Sequence, residues 1–317
     1  MDKFNNNKTN IMSLLVIGSL ALDTIETPFG KAEYTLGGSA TFISTTASYF
    51  VNGVRLVGIV GTDFPTEEID FLTSKGINMA GLEISKSKKT FHWHGRYHTD
   101  MNNRDSITTE LNAFEDFNPI IPESFRNSEF ICLGNVNPEI QKKVIKQLTN
   151  PKFIMIDTMN FWIEGKLDAL KATMKLVDMM VINDSEAKML AEENNVLIAA
   201  NKIFSMGPKM LIIKKGEHGA MLITKDVLFS VPAFLLEKVF DPTGAGDTFA
   251  GGFMGWLTKT KDISPANLKL AIVYGSVMAS LAVEKFSLDG IRHLTKERIM
   301  KRFEEFRELT HFETVSL

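Results

Sequence analysis

The chain has 317 residues, 44% hydrophobic and 23% charged, a balance typical of a water-soluble globular protein. Thirty-five basic residues against 38 acidic ones leave a formal charge of −3, so no global basic field draws the chain to nucleic acid or to a membrane surface. One cysteine, Cys132, excludes an intramolecular disulfide framework and a multi-cysteine zinc knuckle, and fits a reducing cytoplasm.

Residues 1–10, MDKFNNNKTN, are polar and Asn-rich and read as a flexible arm. The apolar run Ile11–Leu22 is interrupted by Ser13, Gly18 and Ser19 and stops at Asp23. It is too short to span a bilayer as a helix and lacks the features of a secretory signal. A buried first strand at Leu14–Ile17 is the expectation. Similar short runs follow at Arg55–Val60, Phe130–Leu133, Phe153–Ile156, Met179–Ile182 and Met210–Ile213, with the length and branching of buried parallel strands. Helical spacing falls between or after them at Pro138–Leu148, Leu167–Val177, Ser185–Glu193 and Pro265–Val283. This alternation predicts a mainly parallel sheet covered on both faces, in one domain over residues 11–310 with no linker.

Two segments break the pattern. Thr24–Thr35, with Pro28 and Gly30, and Thr90–Ile107, containing FHWHGRYHTDMNNRDSI, read as extended, partly exposed strands. They are expected to pair into a small projecting sheet, a lid over a cleft at the C-terminal ends of the parallel strands. His92 and His94 alternate along one strand face, and no carboxylate or cysteine cluster accompanies them, so lid contacts are expected there rather than a metal.

The segment Asp241-Pro-Thr-Gly-Ala-Gly-Asp-Thr-Phe-Ala-Gly-Gly-Phe-Met254 carries the most chemistry. Gly244 and Gly246 permit a tight turn, and Phe249, Phe253, Trp256 and Leu257 recur at helical spacing after it. Such a turn aims backbone N–H groups and a helix N-terminus at one point, which makes an anion site. Asp247, on the first helical turn, could stabilise the helix dipole, or take a proton from a hydroxyl while the N–H cluster holds a phosphoryl group. No G-x-x-x-x-G-K-[ST] loop occurs, and no G-x-G-x-x-G follows the first strand.

With these residues in place, the sequence resembles the ribokinase-like (PfkB-type) carbohydrate and nucleoside kinases. DPTGAGDTFAGGF resembles the family's C-terminal signature, Gly37-Gly38 resembles the N-terminal one, and the matches run in order from about Leu14 to about Gly290. The resemblance implies a three-layer α/β/α fold with a mainly parallel central sheet and a small β lid. It implies Asp247 as catalytic base, Gly244, Ala245 and Gly246 as the anion hole, and Asp23 as a ligand of acceptor hydroxyls, although a turn-forming carboxylate would also explain Asp23. Asn183-Asp-Ser-Glu186 resembles the family's N-x-x-E motif, with Asn183 near phosphate and Glu186 holding Mg²⁺ through water, while the same residues make a helix-capping arrangement. Gly216 and Gly219, in IIKKGEHGAML, would border ATP, or simply shape a hairpin. Further implied are ATP and Mg²⁺, with a monovalent cation and a homodimer paired through the lid as additional candidates.

The match departs at two points. Phe42 stands where many family members carry an acceptor-binding Asn, and it can pack or stack but not hydrogen-bond. DTMNFW, Asp157–Trp162, replaces an Arg-containing stretch of many sugar kinases. The expected function is ATP-dependent phosphorylation of a primary alcohol of a small sugar. A nucleoside kinase is the alternative, with Phe42, Phe91 and Trp93 available to stack on a base. A non-catalytic sugar- or nucleotide-binding regulator on the same fold is a different-class alternative.

Overall fold

The structure is a computed structural model and describes residues 13–313; the arm expected at residues 1–10 lies outside the described residues. The first half of the chain runs β1 (Leu14–Ile17), β2 (Ala21–Thr27), β3 (Gly30–Gly37), α1 (Ser39–Ala47), β4 (Val54–Val60), α2 (Thr66–Ser74), β5 (Asn78–Ile84), β6 (Phe91–Tyr97), β7 (Arg104–Glu110), β8 (Phe130–Leu133), α3 (Pro138–Ile145) and β9 (Phe153–Asp157). The second half continues with α4 (Asn160–Gly165), α5 (Leu167–Met174), β10 (Met179–Asn183), α6 (Asp184–Ala191), α7 (Val196–Ser205), β11 (Met210–Lys214), β12 (Ala220–Thr224), β13 (Leu228–Val231), α8 (Ala245–Thr260), α9 (Pro265–Ala282) and α10 (Lys296–Thr310).

Nine strands form the main sheet in the order β13-β12-β11-β10-β9-β8-β1-β4-β5, parallel except for the terminal hairpin pairs β11–β12 and β12–β13. The central parallel strands are buried on both faces, and their alternating residues enter two cores. Leu14 and Val16 of β1 pack with Phe130, Met155 and Val181 against residues of α1, α8 and α9. Leu15 and Ile17 point the other way, into a core shared with α5, α6 and α7. Helices therefore cover both faces, the three-layer arrangement expected from the alternating pattern. Among the described residues, no helix is long and apolar enough to cross a membrane.

Strands β3-β2-β6-β7 make a separate four-stranded sheet, with β2 and β6 parallel and the outer pairs antiparallel. This is the small sheet expected from Thr24–Thr35 and Thr90–Ile107. It touches the main body at several points, including β3, where the Ser287 hydroxyl donates to the Leu36 carbonyl. The Thr243 hydroxyl lies 3.2 Å from the Tyr97 hydroxyl, and Asn102 at the β6–β7 tip donates to Glu217 Oε1 at 3.1 Å. His92 bonds the Leu22 carbonyl and His94 bonds Glu26, on the strand face opposite Phe91 and Trp93.

The structure differs from the sequence expectation at several strand ends. Phe153–Ile156, Met179–Ile182 and Met210–Ile213 each extend by one polar residue, to Asp157, Asn183 and Lys214. An apolar-run criterion stops at the first polar side chain, whereas the hydrogen-bond ladder is indifferent to it. The half-exposed edge strands β5 and β13 contain no long apolar run and carry no comparable sequence signal.

Candidate active site

In the sheet order, β1 marks the place where the chain reverses direction: β4 and β5 lie on one side of it, and β8 to β11 on the other. A crevice at the C-terminal ends of the strands is expected there. A cleft of about 330 Å³ occupies this position, between the strand ends, the start of α8 and the inner face of the lid. Four carboxylates line it, Asp23, Asp157, Glu186 and Asp247, with Arg104 and Lys214 as the lining cations among the described residues.

One end of the cleft is built around α8. Most long helices here begin with a side-chain cap, as Ser264 does for α9 and Thr295 for α10. Helix α8 begins instead at Gly244, which has φ of 73° and no side-chain cap. The Ala245 N–H donates to the Pro242 carbonyl at 3.1 Å and closes the turn. The N–H groups of Gly244, Gly246 and Asp247 have no protein acceptor among the described residues, and free N–H groups at a helix start are suited to binding an anion. Ala245 therefore shapes the turn, with its own N–H already engaged.

Asp247 is half-buried and receives no hydrogen bond from the described residues. Burial, reinforced by the neighbouring Asp157 charge, pushes its pKa up to about 7, against the opposing pull of Lys214 and Arg104. Asn183 and Glu186 form a reciprocal capping box at the start of α6: the Glu186 N–H donates to Asn183 Oδ1 at 2.8 Å, and the Asn183 N–H to Glu186 Oε2 at 3.0 Å. The second Glu186 oxygen has no hydrogen-bond partner among the described residues, and burial raises the carboxyl above its ordinary range. Lys214 Nζ donates to Asp157 Oδ2 at 2.9 Å. Burial alone would depress the Lys214 ammonium, but Asp157 and Glu186 hold its pKa above the ordinary value.

The other end of the cleft lies under the lid. Asp23 sits in the middle of β2 rather than in a turn, 5% exposed, and its Oδ1 has no partner among the described residues. Burial pushes its carboxyl up to about 8, helped by Asp241 and Asp247 and partly offset by the Trp93 backbone N–H. Gly37 makes room for it: a Cβ at that position would lie 2.0 Å from Asp23 Oδ2. Gly38, with φ of 93°, begins α1, again without a side-chain cap. Ser19 and Ser39 clamp this turn by reciprocal backbone-to-hydroxyl bonds of 3.1 Å. Phe42 borders the cleft but is only 1% exposed, and its ring lies against Gly244, so it has no open face on which a base could stack. The half-buried rings of Phe91 and Trp93 border the cleft on the lid side.

The fold thus brings Asp23, Gly38, Phe42, Asn183, Glu186, Gly244, Gly246 and Asp247 to one cleft. Gly37 stands behind Asp23, and Ala245, Gly216 and Gly219 are outside the lining. Gly216 and Gly219 shape the turn between β11 and β12, where Gly219 (φ 90°) fits against the Val231 carbonyl. Lys214, Asp157 and Arg104 are site residues that the sequence reading did not select; the lysine lay unmarked beside the glycine turn.

The two glycines at the start of α8 should respond differently to alanine. At Gly244 a Cβ would meet the Phe42 ring at 2.4 Å, in a left-handed backbone conformation. Gly244→Ala should therefore destabilise by about 1–3 kcal/mol. At Gly246 the nearest atom is Lys214 Nζ, the end of a long side chain, 3.0 Å away. Gly246→Ala should stay within about 1 kcal/mol of wild type while turnover falls. Denaturant midpoints set beside turnover numbers check both.

A cleft with an uncapped helix start, an unpartnered carboxylate beside it and a β lid above defines a phosphoryl-transfer protein of the three-layer α/β type. The chain belongs to the pfkB family of carbohydrate kinases, whose profile matches residues 13–291. It is 29% identical to the cytidine kinase of Thermococcus kodakarensis over 259 residues, covering 80% of this chain and 91% of that enzyme. It is 25% identical to a ribokinase of Lactococcus lactis over 303 residues, 87% of this chain and 92% of the relative. The crystal structure of the Methanocaldococcus jannaschii nucleoside kinase superposes with a TM-score of 0.75 at 21% identity, over 93% of this chain and 99% of that one.

Proposed function

We propose that the protein transfers the γ-phosphoryl group of ATP to a primary hydroxyl of a small sugar, with Asp247 as general base. The observation that carries this reading is the meeting of a free, pKa-raised carboxylate with three free N–H groups at the start of α8. Phosphoryl transfer needs positioning and charge stabilisation more than covalent chemistry, and this arrangement offers both. Asp23 accepts hydrogen bonds from acceptor hydroxyls and orients the reacting oxygen toward Asp247. Asp247 takes the hydroxyl proton as the oxygen attacks phosphorus, and the Gly244 and Gly246 N–H groups bear the charge on the phosphoryl oxygens.

The donor set fits Mg²⁺ carried in with the nucleotide. Among the described residues, no cluster of three or more His, Cys, Asp or Glu side chains could hold a metal unaided. The free Glu186 oxygen, and a cleft with four carboxylates against two cations, fit a hydrated ion shared with phosphates. When bound, Mg²⁺ neutralises phosphate charge; Glu186 would hold it, and Asn183 fixes the Glu186 carboxylate.

One observation favours a nucleoside acceptor as a second reading: the Phe91 and Trp93 rings border the cleft on the lid side, as Asp23 does, and the cytidine kinase relative is named for such a substrate. ATP consumption against a panel of free sugars and nucleosides separates the two. If a nucleoside is the acceptor, Trp93→Leu should raise its KM roughly tenfold through lost base stacking; a free sugar should lose far less. No ATP consumption with any sugar or nucleoside would refute both readings.

A further inference from the structure

Asp157 and Lys214 occupy the floor of the cleft. Met155, Val181 and Ile212 face the core beneath α8, and side chains alternate along a strand, so Asp157, Asn183 and Lys214, each two residues further on, share that face. Asp157 is 5% exposed, and its second oxygen accepts the Thr158 N–H at 2.8 Å, so both oxygens are occupied and the carboxylate is fixed. The Lys214 ammonium has three donors. One bonds Asp157, and the other two have no acceptor among the described residues. The ammonium lies 3.0 Å from where a Cβ on Gly246 would stand, beside the free N–H groups of α8. A buried ion pair adds little net stability on its own, because desolvation offsets its attraction. A half-satisfied ammonium aimed at an anion site has a clearer use in chemistry.

We propose that Lys214 is a catalytic residue that binds the transferred γ-phosphoryl group through its two free N–H donors, and that Asp157 is the residue that positions it. The inference rests on the kinase reading. During transfer the acceptor oxygen forms a bond to the γ-phosphorus while the bond to the β–γ bridging oxygen breaks, and that electron pair leaves on ADP. The hydroxyl proton goes to Asp247. Lys214 stays protonated throughout and neutralises charge on the phosphoryl oxygens together with the Gly246 N–H. Glu186 from α6 and Asp247 from α8 also face the ammonium, and Arg104 of β7 adds positive charge from the lid side.

The test starts from wild-type protein with an acceptor it demonstrably phosphorylates, so failure of the kinase reading would be seen before any variant is made. Lys214→Met should lower kcat by roughly 10²–10³-fold, the range for losing a preorganised charge donor, with little change in acceptor KM. Affinity for the β,γ-imido analogue of ATP should fall about tenfold, in line with a lost charge-assisted contact, while ADP affinity holds. Asp157→Asn should cause a smaller loss of the same kind. The double variant Asp157→Asn/Lys214→Met removes both members of the bonded pair together, so it serves if the single lysine variant does not fold. It should remain as slow as Lys214→Met. Recovery of turnover in the double variant, near-wild-type kcat without the lysine, or an equal loss of affinity for both nucleotides would make the pair structural and overturn the proposal.

Discussion

Asp247→Asn is expected to fold, to bind ADP like the wild type, and to turn over roughly 10²–10⁴-fold more slowly, the range for losing a positioned general base. The amide keeps the size and place of the carboxylate on the first turn of α8 but cannot take a proton. The wild-type pH profile should carry the same signature. Burial pushes the Asp247 carboxyl up to about 7, and a base works only when ionised, so kcat/KM should rise with pH and level off above that value. At pH 6 it should be roughly tenfold below the plateau, as one pKa unit requires. A flat profile from pH 5.5 to 8, or an asparagine variant with near-normal turnover, would remove Asp247 from the chemistry.

Asp23→Asn should produce opposite changes in activity and stability. Losing the Asp23 carboxyl as a partner for substrate hydroxyls should lower kcat/KM by roughly 10–10²-fold, the equivalent of one or two hydrogen bonds. The unliganded variant should nevertheless be more heat-stable than wild type at pH 8. The Asp23 carboxyl is raised from 3.8 to about 8 in the folded protein, so the folded state holds a proton that the unfolded state releases across that interval. Its stabilising contribution is complete below about pH 4 and is lost as pH rises toward 8. Asparagine mimics the protonated form at every pH, so the Tm difference should open with pH and vanish near pH 4. Thermal melts from pH 4 to 8 measure this, and a variant less stable than wild type at pH 8 would contradict the buried-acid account. Saturating acceptor should stabilise wild type more than the variant.

The parts of the site that were legible in sequence carry local signals. The turn at Gly244–Asp247 combines glycines, an acid and a helical pattern within a few residues, and Asn183 and Glu186 sit at capping-box spacing. Lys214 and Asp157 carry no such signal, because their pairing spans 57 residues and three strands. They stand one residue past the apolar runs that mark β9 and β11, where attention to hydrophobic pattern ends. The lid segments were legible as extended chain, whereas the parallel pairing of β2 with β6 depends on contacts some 70 residues apart. Phe42 could be read as a stacking platform from its position in the motif; only the packed structure reveals Gly244 against its ring.

The cleft draws its walls from two sheets, and the lid-side residues and the residues around α6, β11 and α8 come from different stretches of the chain. Asp23, Phe91, Trp93, Tyr97 and Arg104 come from the lid strands or their ends, all before residue 111, whereas Asp157, Asn183, Glu186, Lys214 and the Gly244–Asp247 turn come from the body after residue 150. Substrate choice and transfer chemistry can therefore drift separately. A lineage could alter what it phosphorylates by substitutions on β2, β6 and β7 while its transfer machinery stays untouched. Grafting the lid strands of a relative with a different acceptor onto this body should move acceptor preference with the graft and leave nucleotide handling with the host.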